Sequence, residues 1–158
     1  MRQVFLIPAV IAGCLTLSAC AENGDQTVER AFRDVNVVDE SNLNDVMLTV
    51  ADPDEAVSYF QRSVKSDPDR IDLQRGLAKS LVRAKRNTEA ASAWSRVTEM
   101  TGATNEDRVA YADALIRTGD WAKADKTLDA IPPTYETYER YRLEAMVADS
   151  NKDWKKSD

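Results

Sequence analysis

The chain has 158 residues and a formal net charge of −6, with hydrophobic residues at 43% and charged residues at 30%. That is enough for one domain with a core of its own, and the lack of a basic excess argues against a protein that tracks nucleic-acid phosphates. There is no histidine, which removes the usual neutral-pH general base and the commonest metal ligand, and the two cysteines, Cys14 and Cys20, both lie near the N-terminus. Nothing after them can build a thiolate metal site or a disulfide framework, so no metal and no cofactor is expected.

The first predicted element is a leader over residues 1–19. Arg2 supplies a positive start, Val4 to Leu17 form an apolar stretch interrupted by Pro8, and small residues precede Cys20. The stretch is too short for a good spanning helix. Leu17-Ser18-Ala19-Cys20 resembles the lipobox of bacterial lipoproteins. The resemblance implies cleavage before Cys20, diacylation of its thiol and acylation of the new amine. Ala21 in the next position, rather than Asp, implies delivery to the outer membrane, on its periplasmic face. Ala19-Cys20-Ala21 also satisfies the small-x-small rule of an ordinary signal peptidase, which would release a soluble protein from Glu22. Either way the chain is exported. An acidic body is not drawn to anionic lipid, so membrane contact is expected through the lipid anchor at Cys20 alone.

Residues 20–36 read as a tether that is polar over 21–26, followed by a short capping helix in "TVERAFRDV", where Val28, Phe32 and Val35 need a surface to pack on. Residues 37–158 then show a period. Ala56, Ala90 and Ala124 are spaced by 34, as are Phe60, Trp94 and Leu128, and Ser63, Val97 and Ile131. Leu43, Leu77 and Tyr111 keep the same spacing, as do Met47, Leu81 and Leu115. A 34-residue helix-turn-helix period is the mark of tetratricopeptide repeats. The anchors at i, i+4 and i+7 share one helix face, with alanine allowing close approach and the larger residue filling the gap beside it. The fold class is therefore all-α, with tetratricopeptide hairpins in a right-handed α-solenoid: three repeats plus an incomplete fourth.

In chain order, first helices are expected near 41–50, 69–84 and 105–118. Second helices are expected near 53–66, 87–100 and 121–130, and a seventh helix near 135–149. Asp52-Pro53 and Asp67-Pro68 each read as an N-cap carboxylate with proline at N1. Gly119-Asp120-Trp121 reads as a C-terminal glycine followed by an N-cap aspartate. Pro132-Pro133-Thr134 should stop the sixth helix before Tyr135 starts the next. Asp120-Trp121 recurs as Asp153-Trp154, so a fourth repeat reaches the start of its second helix. A solenoid needs a polar cap, so either the natural protein is expected to be longer or the last hairpin to fray, with Tyr138, Tyr141 and Met146 partly exposed.

With the lipobox, the stretch "DVNVVDESNLNDVMLTVADPDEAVSYFQR" (Asp34 to Arg62) and the following "DRIDLQRGLAKSLVRAKR" resemble the tetratricopeptide lipoproteins of the tight-adherence (Flp) pilus machinery, the TadD-like proteins. The resemblance covers essentially the whole chain from Cys20. It implies an outer-membrane lipoprotein that helps localise or assemble the pilus secretin. It implies no catalytic residues.

The candidate binding residues are Arg75, Lys79 and Arg83, at i, i+4 and i+8 on one stripe of a first helix, with Val109, Asp113 and Arg117 in the same columns of the next repeat. By resemblance to other tetratricopeptide domains these positions face a concave groove, and an acidic peptide segment would relieve the clustered charge. Carboxylates on the facing helix could instead neutralise it. The stripe predicts that charge reversal at Arg75 and Lys79 weakens partner capture without lowering stability. Trp94 and Trp121 read as packing residues. The acids sit mostly at helix starts and on solvent faces, so no catalytic pair is visible and an enzyme is not expected. Two rivals share the export signal: a scaffold for another envelope task, such as β-barrel assembly or murein hydrolase regulation, and a soluble periplasmic wall-directed enzyme.

Overall fold

The computed structural model describes residues 42–151. The leader, Cys20, the tether with its capping helix, residues 37–41 and Trp154 lie outside the described residues. Among the described residues there are seven helices and no strand. They are α1 (residues 42–49), α2 (Pro53–Ser66), α3 (Ile71–Arg83), α4 (Asn87–Glu99), α5 (Asn105–Thr118), α6 (Trp121–Asp129) and α7 (Tyr138–Ser150). From α2 onward each helix packs on the next in sequence, and α5 also meets α7. This all-helical stack of neighbours is compatible with an α-solenoid.

The repeated columns lie where helices meet. Ala56, Ala90 and Ala124 are fully buried, and Phe60, Trp94 and Leu128 are buried beside them. Val97 and Ile131 are buried too, while Ser63 is half-buried and turns its hydroxyl back onto the Tyr59 carbonyl. In the first-helix columns Leu81, Tyr111 and Leu115 are buried, Leu77 and Met47 half-buried, and Leu43 exposed. One buried cluster runs from Ala78 of α3 through α4, α5, α6 and α7, and a smaller one joins Val57 of α2, Leu81 of α3 and Ala90 of α4. Tyr138, Tyr141 and Met146 are exposed on α7, whose other face buries Leu143, Val147 and Ala148.

Helix ends follow local chemistry, with two departures from the sequence reading. Asp52 caps α2 by accepting from the Asp54 and Glu55 amides at 2.9 and 3.3 Å, with Pro53 at the first helical position. Asp67-Pro68 acts the other way. A residue before proline is pushed out of the helical region, and Asp67, at φ −130° and ψ 77°, ends α2 rather than starting α3. α3 begins at Ile71, and Gln74, itself buried, donates to the Pro68 carbonyl at 2.9 Å. α7 begins at Tyr138, later than expected. Tyr135 still belongs to the turn, its amide donating to the Pro132 carbonyl, and Thr137 is the residue that caps the helix. Arg140 fastens this loop by donating to the Pro132 and Tyr135 carbonyls at 2.8 and 3.2 Å.

The turn after α3 and the turn after α5 match. Lys85 (φ 58°) and Gly119 (φ 80°) are both left-handed and lie 34 residues apart. The next amide, of Arg86 or Asp120, donates back to the carbonyl of Leu81 or Leu115 at 2.9 or 3.0 Å. Glycine suits this position and lysine is strained there.

At Gly76 glycine is required by packing. A Cβ there would collide with Cε1 of the buried Phe60 ring. In an unhindered helix, Gly→Ala stabilises by roughly 1 kcal/mol. Here overpacking reverses the sign, and Gly76→Ala should lower unfolding stability by about 1–3 kcal/mol in a urea titration; a raised midpoint would contradict the Phe60 contact. Lys85→Gly should do the opposite and raise stability by about 0.5–1 kcal/mol in the same titration; a lowered midpoint would count against the left-handed turn.

Candidate functional site

A groove of about 610 Å³ opens between α3 and α5. Its apolar lining comes from Leu48 of α1, Val82 of α3, Trp94 of α4 and Ala110 of α5. Arg75, Lys79 and Arg83 line it from α3; Glu106, Asp107 and Asp113 line it from α5, with Thr104 at that helix's start. Trp94 is 4% exposed, so it packs in the core and shows the groove only a margin of its ring system.

The structure brings three of the four expected cations to this groove and gives each a different task. Arg75 makes a two-pronged contact with Asp107, Nε to Oδ1 at 2.8 Å and Nη2 to Oδ2 at 2.7 Å, and also donates to the Gly102 carbonyl at 3.0 Å. It therefore ties α3 to α5 and to the loop before it, and its charge is spent. Arg83 donates to the Met47 and Ala51 carbonyls at 2.9 and 2.8 Å. Met47 is in the last turn of α1 and Ala51 in the turn that follows, so the guanidinium sits at the helix's C-terminal end, where hydrogen bonding and the helix dipole both favour it. Lys79 is exposed and has no hydrogen-bond or ion-pair partner among the described residues. Arg117 does not line the groove; it is exposed and donates to Asp113 at 2.6 Å within its own helix. Arg142 of α7 approaches the other oxygen of Asp113 at 3.5 Å.

Asp107 is the residue that the stripe alone does not reveal. The residue 34 positions earlier is the buried Leu73, so at this spacing a carboxylate stands where an apolar side chain stood. The local signal was present in Thr104-Asn105-Glu106-Asp107, a capping box. The Thr104 hydroxyl accepts from the Asp107 amide at 3.3 Å, and the Asp107 carboxylate accepts from the Thr104 amide at 2.8 Å. Burial by itself pushes the Asp107 carboxyl up. The Arg75 guanidinium and the Thr104 amide and hydroxyl outweigh that and hold it below the usual carboxylate range.

Charge reversal at Arg75 therefore cannot leave stability untouched, because it would set a second carboxylate against Asp107. Lys79 is the position where charge can change without breaking a contact. Among the described residues no group of three His, Cys, Asp or Glu side chains is placed to hold a metal ion. No helix among them is long and apolar enough to cross a membrane. Compared with known proteins, the chain matches no protein-family model and no curated sequence.

The part-buried Arg75–Asp107 pair makes a pH-dependent contribution with a definite sign. A carboxyl whose folded-state pKa is depressed contributes fully above its unfolded value of about 3.9 and loses that contribution as pH falls through the lower folded value. Asp107→Asn should thus lower stability at pH 7 by about 1–3 kcal/mol, and the gap to the parent should close on acidification below about pH 4. Parallel urea titrations at several pH values test this; a gap that stays constant down to pH 2 would remove the ion pair as its cause.

Proposed function

We propose that the protein is a tetratricopeptide-repeat lipoprotein, anchored through Cys20 at the periplasmic face of the outer membrane, that binds other proteins during assembly of a tight-adherence pilus secretin. The observation that carries the binding role is the groove between α3 and α5, with apolar walls and exposed charge. Support for the repeat assignment comes from the 34-residue columns, whose alanines are fully buried in all three copies, and from the matching left-handed turns at Lys85 and Gly119. Support for the anchor and the pilus comes from sequence resemblance alone, in the lipobox and in the stretch from Asp34 to Arg62. A role in binding rather than catalysis accords with a chain that lacks histidine and whose acids act as caps and ion-pair partners.

The test is crosslinking in the native host, followed by capture on a C-terminal tag and mass spectrometry of what is retained. The expected outcome is recovery of a pilus secretin, together with palmitate labelling that disappears in Cys20→Ser. Recovery of barrel-assembly proteins or murein hydrolases would keep the scaffold and move it to another machine. A parent protein that takes up no palmitate would remove the anchor.

A further inference from the structure

We infer that the groove between α3 and α5 recognises a partner segment carrying one carboxylate side chain next to one apolar side chain. The carboxylate sits between Lys79 and Arg83, and the apolar group covers Val82 and the edge of Trp94. This rests on the protein-binding reading above and adds the chemistry that is recognised.

The charges facing the groove can be taken one by one. Arg75 and Asp107 close on each other. Asp113 is engaged by Arg117 and Arg142, neither of which lines the groove. Three charges remain: Lys79, Arg83 and Glu106. Arg83 meets two carbonyl oxygens, which fix its position without cancelling its charge. Lys79 and Arg83 stand four residues apart on α3, a spacing at which like charges repel. In a chain of net charge −6 the groove thus keeps two cations that no carboxylate among the described residues neutralises. An anion between them removes the repulsion and gains a charge-assisted contact.

The apolar lining narrows the ligand further. A small inorganic anion would leave Val82, Trp94, Leu48 and Ala110 in water, and a purely apolar ligand would cover the two cations without satisfying them. A peptide with Asp or Glu beside Leu, Met or Phe meets both demands. Glu106, next to Asp107, lies at the Arg75 end, so a second acid pointing that way is repelled. The carboxylate is therefore placed toward Arg83, which gives the bound segment a direction.

The probes are three labelled, end-capped decapeptides with a Gly-Ser frame and a central Leu-Asp, Leu-Asn or Ala-Asp pair, titrated with the full chain and followed by fluorescence anisotropy. The Leu-Asp peptide should bind at least about tenfold more tightly than either of the others. Its affinity should fall with added salt, and Lys79→Gln should weaken it by about tenfold while leaving the urea midpoint unchanged. Equal binding of the three peptides, no binding of the Leu-Asp peptide, or an affinity unaffected by Lys79→Gln would each overturn the inference. Capture of the native partner at undiminished yield by Lys79→Gln would overturn it as well, while leaving the protein-binding role in place. Failure of the parent to retain any partner would strike the protein-binding role itself.

Discussion

A helix of nine or fourteen residues is marginal on its own in water, so every helix here depends on the neighbour that covers its apolar stripe. That dependence dictates where small residues must stand. Ala56, Ala90 and Ala124 have no exposed surface because neighbouring helices pack closely around them. Gly76 goes one step further, since even a methyl group there would enter the ring of Phe60. The larger residues can then be ordinary core side chains, which explains how Phe60, Trp94 and Leu128 share one column with three different shapes.

The fold was legible in the sequence to the extent that it rests on period. Alanine at a fixed spacing, with a large apolar residue four positions later, placed α2, α4 and α6 within a residue at either end. Legibility failed where proline carries two meanings. Asp52-Pro53 opens a helix and Asp67-Pro68 closes one, although the dipeptides are identical. The difference lies in what precedes them: Asp67 follows a helix that is still running, and the proline forces it out of the helical region. The start of α7 was misplaced for a similar reason, because the cap at Thr137 is a weaker mark than the proline pair before it. Thr137 does lie 33 residues after the Thr104 cap, matching the 33 that separate Trp121 from Trp154.

The groove was legible as a stripe of cations but not as a distribution of charge. Sequence spacing put Arg75, Lys79 and Arg83 on one face, and all three do line the groove. What spacing could not supply was the partner of each. Arg75 is consumed by an aspartate 32 residues away, while Arg83 is held in place by the carbonyls of Met47 and Ala51, at and just after the end of α1, and keeps its charge. Arg117, in the same column as Arg83, turns instead to Asp113 on its own helix. Three residues that look alike in one dimension thus become a cross-brace, a helix cap and a surface pair. Lys79 stays as the sequence displays it, an exposed cation with no hydrogen-bond or ion-pair partner among the described residues.

Because contact passes from each helix to the next, most of the stabilising surface forms between residues close together along the chain. Chains built from such local contacts fold quickly, since little loop entropy must be lost before packing rewards it. No helix has to wait for a distant strand. A pair can close as soon as both its members have emerged, and each later helix finds its docking surface already in place. Folding can therefore start at any one helix pair and spread to its neighbours in either direction.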